Sequence, residues 1–269
     1  MSDTSVTPAE ESEKDVVPAG QYDGTMTGLE DFGTEDMVMP RLGIEHTEGK
    51  LVDNLTGEKF DKLQVVMLGL IKQRILWDTE VNEGDHPLCK SFNHTEGLPS
   101  DKFPWDASGF DKDKAGDALP CASCNLKEWG SHPQRETPWC SEQHTFPVLM
   151  NIGSDDEPNF AAPAIFTVQR SGIKPSKTYL TSFSRSKTPL FTVVTEISLN
   201  MQKRGSVTYS VPRFAKVADT EQAEWDEFAQ HYLQIRDFVT TPPAKEDENG
   251  APVQTDNSHG DDDDDDVPF

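Results

Sequence analysis

Residues 191–201, FTVVTEISLNM, alternate apolar and polar side chains. A period of two is the pattern of a β-strand with one buried face. Residues 203–205, KRG, have the composition of a turn, and Val207, Tyr209 and Val211 continue the alternation beyond it. The stretch therefore predicts a β-hairpin, and the remaining elements are arranged around it.

Strand patterns precede this hairpin along the chain. Residues 51–55 predict a short strand that ends in turn residues. Residues 63–77 are rich in Val, Ile and Leu and predict a long strand bent near Gly69, although a buried helix has a similar periodicity. Strand character returns at 144–152 and, after a Gly-Ser-Asp-Asp turn region, at 164–170.

Two helices are expected, one on each side of the hairpin. Tyr179, Leu180 and Phe183 have the spacing of a short helix, with Ser176 as its N-cap. After the hairpin, Asp219 and Gln222 have the spacing of a capping box. An apolar stripe for core packing or a dimer contact follows at helical intervals, at Trp225, Phe228, Ala229, Tyr232, Ile235 and Val239. The residues TTPP at 240–243 end this C-terminal helix.

This order of elements predicts an all-β core with minor α content. It matches an OB-fold, a five-stranded barrel with a helix between its third and fourth strands and a face that binds single strands. Several other all-β folds have similar strand counts. We place the folded domain at 37–240, with an insertion at 78–143 that is dense in Gly, Pro, Asp and Lys.

Both ends of the chain are strongly acidic. The whole chain carries a formal charge of −24, with only 34% hydrophobic residues. Residues 1–36 and 240–269 each contain one Lys against ten acids and lack an apolar period, which predicts disorder at 1–36 and 241–269. Because no apolar N-terminal run or membrane span is apparent, we expect a soluble cytoplasmic protein, in the host cytoplasm if it is viral.

A cationic window interrupts this acidic background. Residues 162–216 contain nine cations and one acid, Glu196, interleaved with aromatic residues. Cations that follow phosphates and rings that stack on bases are the composition of a single-strand groove. The alternative is that the rings are core and the cations a solvated face. The predicted contact residues are Phe166, Arg170, Lys174, Lys177, Tyr179, Phe183, Arg185, Lys187, Phe191, Lys203, Arg204, Tyr209, Arg213 and Phe214.

The insertion contains all four cysteines, Cys89, Cys121, Cys124 and Cys140. A Cys-x-x-Cys pair with two further cysteines can complete a tetrahedral shell around one structural Zn²⁺ per chain. Such a zinc site would order the insertion, which is too long to remain without structure inside a compact domain. Disulfides and a redox-active pair are the weaker alternatives, and a histidine among His86, His94, His132 and His144 can replace one cysteine.

An enzymatic alternative rests on part of the same pattern. His94-Thr95-Glu96 with Pro120-Cys121-Ala122-Ser123-Cys124 satisfies the His-x-Glu and Pro-Cys-x-x-Cys signature of zinc nucleoside and nucleobase deaminases. That chemistry needs helical scaffolding, which Gly97, Pro99 and Pro104 disfavour, and it leaves Cys89 and Cys140 without a role. No other catalytic motif stands out, and we predict a protein that is not an enzyme.

The chain closes with Gly260, six aspartates at 261–266 and an apolar tip. The aspartates cannot fold inward, because each carboxylate would lose its hydration beside another anion. A terminal Phe can enter a partner's pocket while the acids steer it toward a basic surface, and the polyanion would also compete with a nucleic acid for the cationic window. The predicted partner-binding residues are Asp264, Asp265, Asp266, Val267, Pro268 and Phe269.

This acidic end resembles the C-terminal tip of bacterial single-stranded-DNA-binding proteins, with Val267 where that tip usually has Ile. It is also similar to the end of the replicative single-stranded-DNA-binding proteins of T7-like phages. The resemblance covers about ten residues. It implies a protein that coats single strands in replication and recombination and recruits replication and repair enzymes. A homo-oligomer is a separate expectation. The T4-type phage proteins also carry a structural zinc, with different ligand spacing. A further alternative is a transcription or replication adaptor that binds only protein.

Overall fold

The computed structural model describes residues 38–80, 86–154, 157–205 and 207–242. The compact unit discussed below begins at Met39. The predictions for 1–36, for 243–269 and for the partner-binding residues at 264–269 lie outside the described residues. The strands are β1 (Arg41–Glu45), β2 (Lys50–Asp53), β3 (Lys59–Phe60), β4 (Lys62–Met67), β5 (Ile71–Leu76), β6 (Cys89–Ser91), β7 (Glu96–Pro99), β8 (Leu119–Pro120), β9 (Cys140–Asn151), β10 (Phe160–Gln169), β11 (Val193–Arg204) and β12 (Val207–Asp219). The α-helices are α1 (Trp105–Ser108), α2 (Ile173–Ser186) and α3 (Trp225–Thr240).

The hairpin is confirmed as β11 and β12, which are paired antiparallel along their lengths. Its turn lies where the sequence predicts it, with Gly205 at a φ of +62°. This left-handed conformation favours glycine because a Cβ would crowd the backbone. Strand β11 also pairs with β4, which attaches the hairpin to the rest of the sheet.

The bend near Gly69 is also confirmed. Strands β4 and β5 both pair with β9, with Val66 opposite Leu149 and Ile71 opposite Thr145, so they form one interrupted strand along a single neighbour. A Cβ on Gly69 would overlap the ring of Tyr232 on α3. The glycine is therefore the point at which the C-terminal helix approaches the sheet.

The strands form one large sheet, which confirms the predicted all-β core with few helices. Neighbouring strands run in the order β12-β11-β4-β9-β10-β1-β2-β3, and β5 extends from β9 toward β6, β7 and β8. Strand β1, which the sequence reading missed, pairs parallel to β10. No strand pairing closes this sheet into a barrel within the part of the chain that the structure describes.

Two apolar clusters cover parts of this sheet. The main core contains fully buried side chains from five strands, among them Val65, Phe146, Phe166 and Ile197. A second cluster places Phe228 and Ile235 of α3 against the sheet, as the apolar stripe predicts. None of the described helices is long and apolar enough to cross a bilayer.

Both predicted helix caps are wrong. Helix α2 begins at Ile173, so Ser176 lies inside it and is buried rather than capping its end. Asp219 is the last residue of β12. Glu224 is the residue before α3, and no side-chain hydrogen bond caps the N-terminus of that helix. Pro175 is accommodated in the first turn of α2, where an amide proton has no helical partner to lose.

Candidate nucleic-acid interface and cysteine cluster

The sheet brings the four cysteines to one small cavity. Leu76 on β5 is the register partner of Cys89 on β6 and of Cys140 on β9, so these cysteines flank it on adjacent strands. Cys121 and Cys124 bound a short 3₁₀ turn after β8, and the amide of Cys121 donates to the carbonyl of Thr95 at 2.8 Å. Thiols that are far apart in sequence therefore face one space.

Gly97 on β7 leaves room for two of these thiols. A Cβ at this position would lie 2.8 Å from Sγ of Cys89 and 3.6 Å from Sγ of Cys121. The first distance is too short for a real contact, so a larger residue would displace the Cys89 side chain. All four cysteines are free thiols, and no group of three or more His, Cys, Asp or Glu among the residues described here has the arrangement of a metal site.

Burial disfavours the thiolate form of three of these cysteines, Cys89, Cys124 and Cys140. It raises the pKa of Cys89, and the nearby thiols of Cys140 and Cys121 raise it further. Burial also raises the pKa of Cys140 to about 11, even though the neighbouring Arg74 guanidinium opposes the shift. The pKa of Cys124 is raised by burial and lowered in part by Lys127. Two cations thus lie beside a cluster of potential thiolates.

None of the histidines that the structure describes lines the thiol cavity. The buried ring of His144 is engaged elsewhere, with Nδ1 at 2.7 Å from Ser176 Oγ and Nε2 at 3.1 Å from Glu142 Oε1. Nδ1 of His132 accepts a hydrogen bond from the amide of Gln134 at 3.0 Å. His94 has a φ of +68°. Burial lowers the pKa of its imidazole, and the positive charge of Arg74 lowers it further. The cavity therefore presents a donor set of cysteines alone.

The deaminase signature is not on helices. Glu96 is exposed on β7 and is the register partner of Pro120 on β8, while Cys121 begins a 3₁₀ turn. The two halves of the signature are close, but strand pairing rather than helical scaffolding holds them.

Part of the cationic window lines a groove between α2 and the hairpin. This groove has a volume of about 580 Å³, and Lys174 and Arg213 lie on its two sides. Tyr179 and Phe214 form part of its floor, with ring centroids 5.6 Å apart and planes 22° apart. The Tyr179 hydroxyl lies 2.7 Å from Thr195 Oγ1, and burial raises its pKa. These rings are fixed by the fold and only partly exposed.

A second cleft lies where β10 runs into α2. It has a volume of about 440 Å³ and is lined by Arg170, Tyr209 and His46. Pro212 lines both this cleft and the α2 groove, so the two spaces adjoin. Arg170 has a φ of +50°, an unusual conformation for arginine.

Other members of the predicted set lie elsewhere. Phe166 is fully buried in the main core and offers no exposed ring surface to a strand in this structure. Phe191 packs into the cluster under α3 rather than into either groove. Phe183 packs edge-on against Tyr179. The five remaining cations are exposed but line neither space: they lie on α2 (Lys177, Arg185), just after it (Lys187) and at the hairpin tip (Lys203, Arg204).

A third cleft was missed by the sequence reading. It lies between the insertion and the start of α2, has a volume of about 630 Å³, and shares Arg170 and Ser171 with the second cleft. Trp129 on its rim is 79% exposed. The missed signal was the alternation of Lys127, Trp129, Arg135 and Trp139 within the insertion, which resembles the composition of the cationic window.

Comparisons with protein-family models, with curated proteins and with solved structures found no match for this chain.

Proposed function

We propose that this protein binds single-stranded DNA without sequence specificity, in replication or recombination. The observation that carries the proposal is the adjacency of the three clefts around the start of α2. Arg170 lines the second and third clefts, and Pro212 lines the second cleft and the α2 groove, so cations and rings border one continuous path. An otherwise acidic protein concentrates positive charge along this path, as a single-strand groove requires.

The chemistry of the path suits a flexible strand. Lys174 and Arg213 are exposed on opposite sides of the α2 groove and can follow phosphates. Tyr209 and Phe214 are half-buried and offer ring surface to bases. Because base stacking tolerates every sequence, such a surface would bind without base-specific hydrogen bonds.

A salt titration tests this function. Binding of poly-dT, followed by intrinsic fluorescence at several salt concentrations, should weaken steeply as salt rises, because phosphate contacts release counterions. Lys174→Ala and Arg213→Ala should each reduce the slope of log K against log salt by about 0.7 if each contacts one phosphate of a single strand. Lys59→Ala is the matched control, because Lys59 lies on β3 in an ion pair with Glu48.

Absence of poly-dT binding by the unmodified protein would contradict the proposal and favour an adaptor that binds only protein. If Lys174→Ala and Arg213→Ala both bind poly-dT with an unchanged slope of log K against log salt, the DNA must bind elsewhere on the protein.

We also infer that the four cysteines hold one structural Zn²⁺. The donor set fits: four thiols share one cavity, Gly97 leaves space for them, and Arg74 and Lys127 lie close enough to balance the negative charge of four thiolates. Within the described residues the four thiols do not have the arrangement of a metal site, so zinc binding would draw them together, and any ligand that is still a thiol would lose its proton. Zinc prefers such all-sulfur sites when its role is structural.

Metal analysis of the purified protein tests this inference. The unmodified chain should contain one zinc per chain, and Cys124→Ser should lose it. Lys102→Ala, at an exposed position of the same insertion, should retain it. A protein purified without metal, and unable to take up zinc after reduction, would contradict a zinc site.

The acidic tip supports a third element of the proposal, recruitment of replication or repair proteins. Its support is the resemblance of residues 260–269 to the tips of single-stranded-DNA-binding proteins. Deletion of 261–269 should abolish partner capture and, because a tethered polyanion competes with DNA, tighten poly-dT binding at low salt. Unchanged affinity on deletion would remove the competition.

A further inference from the structure

The cleft between the insertion and α2 has a composition that the α2 groove lacks. Its lining contains five cations against two acids, Asp78 and Glu142, together with tryptophans from three parts of the chain. The cations are Arg74, Lys127, Arg135, Arg170 and Lys177, and the tryptophans are Trp77, Trp129 and Trp139. Cations with several large rings in one cleft indicate a ligand that combines negative charge with flat apolar faces.

Three of these cations already have partners. Lys177 pairs with Glu142 at 3.1 Å, and Lys127 donates to the carbonyl of Ala122. Arg74 hydrogen-bonds to Cys140. Arg135 and Arg170 have no side-chain hydrogen bond or ion pair to any residue that the structure describes. These two guanidinium groups are the ones left to bind an external anion.

Arg135 and Arg170 line the same cleft as His132. Burial lowers the pKa of His132, and the positive charges of Arg135 and Arg170 lower it further. One guanidinium comes from the insertion and the other from the turn before α2, yet both influence a single imidazole. A phosphate bound in this cleft could pair with both guanidinium groups.

Two of the tryptophans in this cleft differ in hydrogen bonding and exposure. Trp139 is half-buried and fixed, because its Nε1 donates to the carbonyl of Trp77 at 2.8 Å. Trp129 has no such hydrogen bond among the described contacts and is the most exposed large apolar side chain there, at 79%. An indole left in water beside unpaired arginines is a surface on which a base can stack.

We propose that this cleft is a nucleotide subsite, in which Trp129 stacks on one base and Arg135 and Arg170 hold the adjacent phosphate. The inference rests on the proposed single-strand binding and extends the strand path onto the insertion. Arg170 makes the connection, because it lines both this cleft and the one that adjoins the α2 groove.

The subsite is built from two separate parts of the chain. Trp129 and Arg135 belong to the insertion, and Arg170 belongs to the turn that precedes α2. The insertion must therefore be ordered for the subsite to exist, whereas the α2 groove does not use it.

Two single-stranded probes of equal length, oligo-dT and an abasic oligodeoxyribose phosphate, test the subsite. Trp129→Ala should weaken oligo-dT binding by on the order of tenfold and leave abasic binding unchanged, because only the base contact is lost. Trp129→Phe should bind oligo-dT much as the unmodified protein does. Arg135→Ala should weaken the binding of both probes and lower the salt slope, because it removes a phosphate contact.

Phe238→Ala is the matched control, since Phe238 is an exposed ring on α3 outside the lining of the three clefts. Unchanged oligo-dT affinity in Trp129→Ala, with the unmodified protein binding normally, would overturn the subsite and leave the proposed function standing. An equal loss for both probes would overturn base stacking at Trp129. No binding by the unmodified protein would overturn both proposals.

Discussion

The main core and the cysteine-bearing insertion are stabilised in different ways. The core lies under strands as long as β9, β11 and β12, and its side chains include several that are fully buried. The insertion has strands of two to four residues and a smaller cluster around Leu76, Phe103 and Trp105. Long runs of paired strand and many buried side chains stabilise the main core. The short strands of the insertion contribute little stability by themselves.

Strand β9 belongs to both regions. Its first residues, beginning with Cys140, pair with β5 beside the thiol cavity, and Val148 to Met150 pair with β4 in the core. One strand can therefore anchor an insertion to a sheet, while order within the insertion depends on what joins its remaining segments. We attribute that role to the cysteine cluster, and the following changes test the attribution.

The largest effect is expected in the core. Phe166→Ala should reduce the free energy of unfolding by about 3–5 kcal/mol, because it removes a fully buried ring and leaves a cavity. Denaturant unfolding measures the loss. Phe238→Ala, at an exposed ring, should stay within about 0.5 kcal/mol of the unmodified protein. Equal effects from the two variants would contradict the assignment of Phe166 to the core.

A smaller, local effect is expected in the insertion. Gly97→Ala should destabilise that region by about 1–3 kcal/mol, because its Cβ would overlap Sγ of Cys89. Hydrogen exchange should then accelerate at residues 86–139 while β11 and β12 stay protected, and zinc content should fall. Leu98→Ala, at the adjacent exposed position on β7, is the control. Loss of protection throughout the sheet would mean that the two regions unfold as one.

An acid-dependent effect is expected at the junction of the regions, where His144 is buried on β9. Burial lowers its pKa below the 6.5 of the unfolded chain, although Glu142 opposes the shift and Lys177 and Lys72 add to it. Above pH 6.5 both states are neutral and the stability is complete; below it, only the unfolded state gains the proton. Stability should therefore fall as the pH drops from 6.5 toward the lowered pKa of the folded protein.

Substitution of His144 isolates this contribution. His144→Gln should reduce the slope of unfolding free energy against pH by no more than about 1.4 kcal/mol per pH unit, the limit for one proton. Denaturant unfolding at several pH values measures it. Ser176→Ala, which removes the hydroxyl partner and keeps the imidazole, should retain the slope. Parallel pH profiles for His144→Gln and the unmodified protein would contradict the assignment.

The smallest effect is expected from exposed charges at the sheet edge. Nζ of Lys50 lies 2.6 Å from Asp61, whose side chain is 81% exposed. Lys50→Ala should change the free energy of unfolding by less than about 1 kcal/mol, because water screens such pairs. A larger loss of unfolding free energy, or a loss that does not change with salt concentration, would contradict this expectation.

Local patterns in the sequence predicted much of the secondary structure. The alternation at 191–211 identified the hairpin, the run at 63–77 and its Gly69 identified the bent strand, and the stripe on α3 identified its buried face. These succeed because a period of two or 3.6 residues follows from backbone geometry alone. The caps failed because Ser176 and Asp219 have side chains that suit several local structures, and their neighbours in space determine which one forms.

By itself, then, the sequence determined the strand-rich class, the hairpin, the C-terminal helix and the grouping of four cysteines in one insertion. Only the tertiary structure decided which rings are buried and which line a cleft, because strands distant in sequence determine which face of each strand is covered. Phe166 shares the cationic window with Tyr209 but lies in the core, whereas Trp129, outside that window, stands exposed beside Arg135. Periodicity defines the faces of an element, and long-range pairing decides which of them water can reach.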